Sequence, residues 1–238
     1  MVANLRAIEE RIASAAHRVG RDPGGVRLLP VSKTKPPEAV LVAHCAGYRR
    51  FGENKVQEAL DKWQSLADSD IEWAVIGHLQ TNKAKYVARF ASEFQALDSL
   101  RVAHELDRRL QQEGRRLEVL IQVNSSGEEQ KFGVEPGEVV TFARQLRAFD
   151  ALEVRGLMTL ALFTDDQERI AACFRCMVQV QRELQQATGE PWPELSMGMS
   201  GDFELAIEHG ATCVRVGQAI FGNRLDPNQY WPGSTAQN

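Results

Sequence analysis

Short apolar runs alternate with helical patterns along most of the chain. The runs have the composition of buried strands, and they begin near Val26, Tyr48, Ile71, Phe94, Leu117, Leu152, Glu194 and Cys213. Between them, apolar residues recur at helical spacing, and one more helix is predicted before the first strand, at about residues 3–19. A chain that alternates strands with helices is typical of a parallel sheet with crossover helices.

The number of strands separates two architectures. Eight strands are the number that closes a (β/α)8 barrel, and 238 residues are close to the ~250 that such a barrel usually needs. A doubly wound open sheet is the alternative, but no G-x-G-x-x-G follows the first strand. We therefore predict an α/β fold, a (β/α)8 TIM barrel with an extra N-terminal helix, in one domain over residues 1–238. Residues 224–238 are expected to form a flexible tail.

Composition and charge limit the partners. The chain is 43% hydrophobic and 25% charged with a formal net charge of −4, values that are ordinary for a soluble globular protein. There is no long basic run and no interleaved basic and aromatic segment, which argues against nucleic acid. No apolar segment approaches the ~20 residues that span a bilayer, and the charged N-terminus lacks a signal-peptide core. We expect a cytoplasmic protein that does not bind membranes.

The four cysteines include a C-x-x-C pair. Cys173 and Cys176 lie inside a segment that predicts a long helix, with no second pair to complete a zinc site and no redox-type strand before it. Ordinary packing of a helix is therefore the interpretation that we adopt for this pair.

Helix boundaries carry their own signals. Asn54 with Gln57 three residues later resembles a capping box after the second strand. Pro36 and Pro37 suit the first turn of a helix. Glycines also follow three of the helical patterns, where C-terminal caps are common, at Gly47, Gly114 and Gly210.

A lysine at the end of the first predicted strand is the first candidate for chemistry. Leu29, Val31 and Lys33 share one face of that strand. Functional groups of parallel barrels gather at the carboxyl ends of the strands, so Lys33 would point into the mouth if the other two fill the interior. Burial lowers the pKa of a lysine, and the neutral amine attacks aldehydes and ketones. The alternative is a lysine that extends to solvent or pairs with a carboxylate, and Lys35 is expected to face water.

The last two predicted strands add polar groups at the same end. Arg215 and Gly217 share a face, so Arg215 either lines the mouth or contacts the helix layer. Gly217 would let a ligand approach the backbone, with N–H groups near Gln218 to receive an anion. Ser200 is expected to cap the next helix, with the first N–H groups of that helix facing the mouth. Phosphate commonly binds (β/α)8 barrels after strands seven and eight, where these residues fall.

Each of these features has a purely structural alternative. Arg215 could form an ion pair, the glycines could serve turns, and Ser200 could cap a helix without any ligand. Together, however, an aldehyde-capturing lysine, a fixed cation and a phosphate cradle match the aldehyde, the ring nitrogen and the phosphate of pyridoxal 5′-phosphate (PLP).

Seven motifs then show a family resemblance. They are V-S-K-T-K-P (31–36), F-G-E-N-K-V-Q-E (51–58), I-G-H-L-Q-T-N-K (76–83), K-F-G-V (131–134), R-G-L-M-T-L (155–160), L-S-M-G-M-S-G-D (195–202) and V-R-V-G-Q-A-I-F-G (214–222). In this order they resemble the pyridoxal phosphate homeostasis proteins, the YggS/PROSC family, over about residues 5–221. The resemblance implies a modified (β/α)8 barrel like the N-terminal domain of alanine racemase, a PLP-binding fold of type III.

The resemblance also implies roles for single residues. Lys33, the first lysine of V-S-K-T-K-P, would carry PLP as a Schiff base. Ser200 would bind the phosphate with the help of backbone N–H groups at Gly217 and Gln218, and Met199, which precedes the serine, is counted with the cofactor-binding positions.

The ring of the cofactor has its own implied neighbours. Arg215 would face the pyridine nitrogen, and Asn54 and Ile76 would lie near the ring. A helix cap and a core isoleucine are the alternatives for those two. Lys131 belongs to a polar loop that either covers the site or is simply solvated.

An arginine at the ring nitrogen limits the chemistry. Because Arg215 cannot give up its proton, the nitrogen would stay unprotonated and the ring would be a weak electron sink. Alanine racemase works with such an arginine but has a second domain that supplies a tyrosine base, and the residues after the last predicted strand are too few for one. We expect a protein that holds PLP on Lys33 with little or no catalytic turnover. As the resemblance implies, it would serve intracellular PLP homeostasis and amino-acid balance.

Two other functions stay open on the sequence. One is a fold-type III PLP enzyme such as an amino-acid racemase. The other is a Schiff-base aldolase of the barrel type, without a cofactor and with a phosphorylated sugar as substrate. PLP itself is the expected ligand, PLP-dependent apo-enzymes are candidate recipients, and a monomer is expected.

Overall fold

Eight parallel strands form one sheet in the order β1-β8-β7-β6-β5-β4-β3-β2. In the computed structural model, which describes residues 1–128 and 130–222, they are β1 (Arg27–Pro30), β2 (Arg50–Glu53), β3 (Glu72–Val75), β4 (Ala91–Leu97), β5 (Leu117–Gln122), β6 (Leu152–Met158), β7 (Glu194–Ser196) and β8 (Cys213–Val216). A parallel bridge between Val31 and Gly52 connects the two ends of this order, β1 and β2. The predicted (β/α)8 TIM barrel is confirmed. The predicted tail, 224–238, lies outside the described residues.

Helices connect the strands on the outside of the barrel. They are α1 (Val2–Arg18), α2 (Pro37–Cys45), α3 (Val56–Ser65), α4 (Ala84–Phe90), α5 (Leu100–Glu113), α6 (Val139–Leu146), α7 (Gln167–Thr188), α8 (Phe203–Glu208) and α9 (Gln218–Phe221). Pro37 begins α2 after Pro36, as predicted, and Gly114 ends α5 in the left-handed conformation with φ 62°. The turn glycines Gly47 and Gly210 also have positive φ.

The N-terminal helix takes the place of the last outer helix. In a regular (β/α)8 barrel, the helix after the eighth strand covers the outside between that strand and the first. Here α9 has only four residues, and α1 packs against α8 and α9 instead. Asn4 Nδ2 donates to the carbonyl of Ile220 (3.0 Å), and Arg11 pairs with Glu204. The apolar face that α1 buries consists of Leu5, Ile8, Ile12, Ala15 and Ala16.

The barrel interior is charged at the end where the strands begin. Glu93 of β4 is 1% exposed and accepts bonds from Arg27 at the start of β1 (3.0 Å) and Arg50 at the start of β2 (2.8 Å). Arg27 also pairs with Glu194 (3.0 Å), and Arg50 with Glu118 (2.9 Å). Burial opposes ionisation of Glu93, but the charges of Arg27 and Arg50 and the hydrogen bonds from Arg27 and Gln95 together outweigh it, and the pKa of Glu93 is lowered.

An apolar layer lies above these charges. Leu29, Ala74 and Cys213 are fully buried and pack together, with Ile76 against them. Large apolar side chains also fill the space between the strands and the helices. With the charged layer and the apolar layer inside it, the barrel interior is a packed core, and its open end is where the strands finish.

The C-x-x-C pair belongs to the helix layer. Cys173 is buried on α7 and its thiol lies 3.4 Å from the carbonyl of Arg169, while Cys176 is half-buried one turn later. This placement agrees with ordinary helical packing. In the described part of the chain, no helix has both the length and the apolar character to cross a membrane.

Candidate functional site

Lys33 lies on a tight turn at the open end of the barrel. The ladder of β1 ends at Pro30, Val31 bridges to Gly52, and Ser32 N then donates to the carbonyl of Gly52 (3.0 Å). The N–H of Lys35 closes a turn onto the carbonyl of Ser32 (3.0 Å). The prediction that Lys33 is the last residue of the strand is therefore wrong, because the chain leaves the sheet one residue after the bridge. Lys33 is half-buried on this turn.

Thr34 occupies a conformation that threonine avoids. Its φ is 61°, which is the left-handed region, whereas Lys33 before it has negative φ. This combination matches a type II turn, whose third position normally holds glycine. A β-branched residue there costs about 1–3 kcal/mol and persists only if the surroundings enforce it. The hydroxyl of Thr34 is also buried without a hydrogen-bond partner among the described residues.

A buried charge cluster lies directly beside this turn. Lys62 of α3 is fully buried, and its ammonium donates to the carbonyl of Ser32 (2.8 Å), to Glu53 Oε1 (2.6 Å) and to Glu58 Oε1 (2.8 Å). Glu58 Oε1 also accepts from the N–H of Thr34 (2.5 Å), and Ser32 Oγ donates to Glu53 Oε1 (2.6 Å). We call Lys62, Glu53 and Glu58 the Lys62 cluster.

The Lys62 cluster has two carboxylates and one ammonium. Burial raises the pKa of Glu53 to about 7, and the neighbouring Glu58 acts in the same direction, while Lys62 opposes it. The second oxygen of Glu53 is buried without a hydrogen-bond partner among the described residues. A proton on Glu53 would leave Lys62 and Glu58 as a neutral pair. The raised pKa of Glu53 therefore places a protonation step of the cluster near neutral pH.

Arg215 lies inside the barrel, below the open end. Its guanidinium is 3% exposed and donates to Ser196 Oγ (2.7 Å) and to the carbonyl of Thr159 (2.7 Å). Ser196 Oγ in turn donates to Gln95 Oε1 (2.7 Å). Of the two orientations that the sequence left open, the structure has the inward one. Burial lowers the pKa of Arg215, and the nearby carboxylates of Asp202 and Glu93 oppose that shift.

The ends of β7 and β8 meet close to the end of β1. A Cβ on Gly217 would lie 3.0 Å from the carbonyl oxygen of Val31, so these segments approach as closely as glycine allows. Gln218 begins α9 and is exposed, Met199 is 36% exposed, and Ser200 is half-buried. The structure thus brings the predicted phosphate-binding positions to one edge of the mouth.

The predicted helix cap at Ser200 is wrong. Asp202 precedes α8, and its side chain accepts from the N–H of Met199 (2.5 Å), while Ser200 lies in the turn between them. The serine hydroxyl is therefore not committed to the end of the helix. Burial raises the pKa of Asp202, and its contact with the N–H of Met199 opposes that shift.

Asn54 and Ile76 follow β2 and β3 on the other side of Lys33. The predicted capping box at Asn54 is wrong, because α3 begins after Lys55 and Gln57 bonds to Asp61 (2.8 Å). Asn54 is exposed at the mouth. Ile76 is half-buried above the apolar layer, and a Cβ on Gly52 would lie 3.4 Å from its Cδ1.

Described residues of the loop after β5 contact residues that follow two other strands. Phe132 stacks on His78, which follows β3, with ring centroids 3.8 Å apart and planes 13° apart. Lys131 donates to the carbonyl of Ala161 after β6 (3.2 Å) and pairs with Glu128. These contacts anchor the loop at two points, and whether it covers the site stays a prediction.

The expectation that Lys35 faces water is wrong. Lys35 is 7% exposed, because the turn directs the chain back against the barrel before α2 begins. Burial lowers the pKa of Lys35.

The comparisons with known proteins identify one family. Residues 3–225 match the model of the alanine racemase N-terminal domain. The pyridoxal phosphate homeostasis protein of Aquifex aeolicus is 41% identical over 220 residues, covering 92% of this chain and 96% of the relative. That of Vibrio cholerae is 42% identical over 228 residues, covering 93% and 95%. The structure of PipY of Synechococcus elongatus with PLP bound is 37% identical with a TM-score of 0.78, covering 90% and 100%.

The chain belongs to the alanine racemase N-terminal domain family and, within it, to the pyridoxal phosphate homeostasis proteins. The resemblance that the seven motifs predicted is confirmed at this level.

Some residues of the site have no role in the sequence prediction. The Lys62 cluster, Thr159 and Ser196 were not assigned. Glu58 and Lys62 are four residues apart on one helix, a spacing that signals an ion pair. Nothing in the sequence places that pair beneath the Lys33 turn, because the contact joins β1, β2 and α3 in space.

Proposed function

We propose that the protein binds PLP at the open end of the barrel and holds it as a Schiff base on Lys33. In this function it serves the intracellular supply of PLP and amino-acid balance, with little or no catalytic turnover. The observation that carries the proposal is the position of Lys33, on a held turn beside the converging ends of β7 and β8. The relatives named pyridoxal phosphate homeostasis protein, and the PLP-bound structure of PipY, support it.

The residues at the mouth fit the groups of PLP. Lys33 offers an amine to the aldehyde, and Ser200 offers a hydroxyl that caps no helix. Gly217 and Gln218 would provide backbone N–H groups for the phosphate. Glycine suits position 217 because a Cβ there would lie 3.0 Å from the carbonyl oxygen of Val31. Asn54 and Ile76 would border the ring. PLP bound there would supply a reactive aldehyde and an electron-withdrawing ring.

Arg215 supports the expectation of little turnover. Its guanidinium is fixed by Ser196 and Thr159 at the inner side of the site, so a ring nitrogen above it would meet a hydrogen-bond donor. A donor leaves the nitrogen unprotonated and the ring a weak electron sink, which disfavours reactions through carbanions. Retention of PLP, rather than reaction of an amino acid, is then the role that the arrangement serves.

Borohydride trapping tests the binding function. The purified protein is incubated with PLP, reduced with borohydride, digested and mapped by mass spectrometry. We expect one pyridoxyl group, on Lys33. Lys55→Ala, which removes an exposed lysine near the mouth, is the control and should keep the label. A label distributed over exposed lysines, or none at all, would overturn the proposal.

A turnover assay tests the second part. The PLP-loaded protein is incubated with each L-amino acid, and D-isomer, amine and keto acid are measured. We expect less than one product molecule per protein molecule. Sustained multiple turnover would show an enzyme, with a racemase as the first class to examine. A protein that takes no PLP but is trapped by borohydride with a phosphorylated sugar would show an aldolase.

A further inference from the structure

The turn that carries Lys33 needs contacts from other elements to keep its conformation. Thr34 is held in the left-handed region, and its buried hydroxyl gains no hydrogen bond from the described residues. Left to itself, such a turn would relax and move Lys33 with it. The restraining contacts in the structure come from outside the turn, from the end of β2 and from the first two turns of α3.

Those contacts come from one buried unit on both sides of Lys33. Lys62 holds the carbonyl of Ser32, the residue before Lys33, at 2.8 Å. Glu58 holds the N–H of Thr34, the residue after it, at 2.5 Å. Lys62 and Glu58 are themselves joined at 2.8 Å. The backbone on both flanks of Lys33 is therefore fixed by a single ion pair.

We propose that Lys62, with Glu53 and Glu58, is a positioning unit for Lys33, which holds the strained turn so that the amine is presented to the aldehyde of PLP. The inference rests on the function proposed above. None of the three residues contacts the ligand in this account; they act through the backbone of Ser32 and Thr34.

The geometry distinguishes this role from ordinary stabilisation. A buried ion pair that only stabilised the fold could satisfy its hydrogen bonds with any nearby polar group, and apolar residues often fill such space as well. In the cluster, Lys62 bonds to the residue before Lys33 and Glu58 to the residue after it. Burying two carboxylates around one ammonium costs desolvation free energy, and the three groups lie directly beside the strained turn.

The test compares variants of Glu58. Glu58→Ala removes the acceptor for the N–H of Thr34, and we expect the apparent affinity for PLP to fall roughly tenfold or more, the size of a lost hydrogen bond to a charged group. The rate of Schiff-base formation, followed by absorbance, should fall with it. Glu58→Gln keeps an acceptor oxygen and should stay within about threefold of the unchanged protein. Asp61→Ala, which removes a carboxylate of the same helix that bonds to Gln57, is the matched control.

A second change tests the strain directly. Glycine adopts positive φ without cost, so Thr34→Gly should need the restraint less. When Thr34→Gly is combined with Glu58→Ala, we expect the double variant to regain most of the affinity and rate that Glu58→Ala alone loses. Because relief of the strain at Thr34 also stabilises the fold, affinity and rate are measured under conditions in which every variant is fully folded, where a role in stability alone gives neither the loss nor the rescue. Thermal unfolding identifies variants that do not fold, and Glu58→Met, of similar volume and without an acceptor, replaces Glu58→Ala if needed.

The outcomes separate the two proposals. If the unchanged protein traps PLP on Lys33 but Glu58→Ala binds and reacts like it, the positioning role is wrong and the proposed function stands. If Glu58→Ala is impaired and Thr34→Gly rescues nothing, the turn is not the route and the inference fails. If the unchanged protein traps no PLP on Lys33, both proposals fall.

Discussion

Lys33 and Lys35 are two residues apart and have different surroundings. Lys33 is half-buried on the turn at the mouth, whereas Lys35 is buried against the barrel, where burial lowers its pKa. A low pKa is the usual sign of a nucleophilic lysine, yet position decides which amine reaches a ligand. Access to the open end of the barrel favours Lys33.

The first prediction concerns the amine of Lys33. Lys33→Ala should lose the covalent bond to PLP while the phosphate-binding edge at Ser200 and Gly217 still gives weak binding. We expect an affinity lower by about 100-fold or more and no adduct after borohydride. Equilibrium dialysis measures the first and mass spectrometry the second. Loss of the fold in this variant, seen by circular dichroism, would contradict the surface position of the turn.

The second prediction concerns Glu53. Its pKa is raised from 4.5 to about 7 by burial, so the folded state holds this proton more tightly than the unfolded chain. The contribution of this proton to the stability of the fold is then fully present below about pH 4.5, and it is lost as the pH rises through about 7. The free energy of unfolding should fall across this window by roughly 3 kcal/mol at most.

Glu53→Gln provides the comparison for that prediction. Glutamine cannot ionise, so this variant should lack the decline. The measurement is urea unfolding of both proteins at several pH values between the ordinary and the raised pKa. Parallel curves for the two proteins would mean that Glu53 titrates normally.

At the scale of elements, the sequence predicted the barrel because its strands and helices alternate so regularly. The eight strands and the leading helix were all found. The limits of β1 were not, because only the bridge from Val31 to Gly52 and the bond from Ser32 to Gly52 show where the chain leaves the sheet. The helix caps at Asn54 and Ser200 failed for a similar reason: Lys55 and Asp202 are the residues that precede α3 and α8.

The candidate site was also predicted in its main residues but not in its contacts. Motifs selected Lys33, Ser200 and Arg215, and the structure brings their strand ends to one opening. The strain at Thr34 and the restraint of its turn by Lys62 and Glu58 had no sequence signal, since a threonine in a turn is ordinary and the restraint comes from another element. Contacts between elements distant in the chain are what a single sequence does not reveal.

The third prediction concerns the charged end of the barrel. Arg27→Met would leave the buried Glu93 without one of its two arginines, and we expect a loss of about 3–5 kcal/mol of unfolding free energy. The affinity for PLP in the folded variant should change by less than about threefold, because Glu93 reaches Arg215 through Gln95 and Ser196 and not by a direct hydrogen bond. Denaturant unfolding and PLP titration check the two parts. A large change in affinity would show that the two ends of the barrel are coupled.

At the scale of the whole molecule, α1 completes the outer layer that α9 is too short to supply. Its apolar face is buried against elements from the far end of the chain. The stability of the barrel should therefore depend on this helix as on any core element.

The fourth prediction compares two sides of α1. Ile8 is 3% exposed, and Ile8→Ala should cost about 2–5 kcal/mol of unfolding free energy. Arg18 pairs with Glu208 at the surface, and Arg18→Ala should cost less than about 1 kcal/mol. Urea unfolding at one pH measures both. Equal, small losses would mean that α1 is only loosely attached.

The position of α1 has a consequence for how the protein is made. This helix is translated before the eight strands of the barrel, while its packing partners α8 and α9 follow β7 and β8. While the strands are being made, the apolar face of α1 thus lacks its native partners. The outer layer is completed only when α1 meets α8 and α9, so we expect the barrel to fold late and cooperatively and α1 to need temporary protection until then.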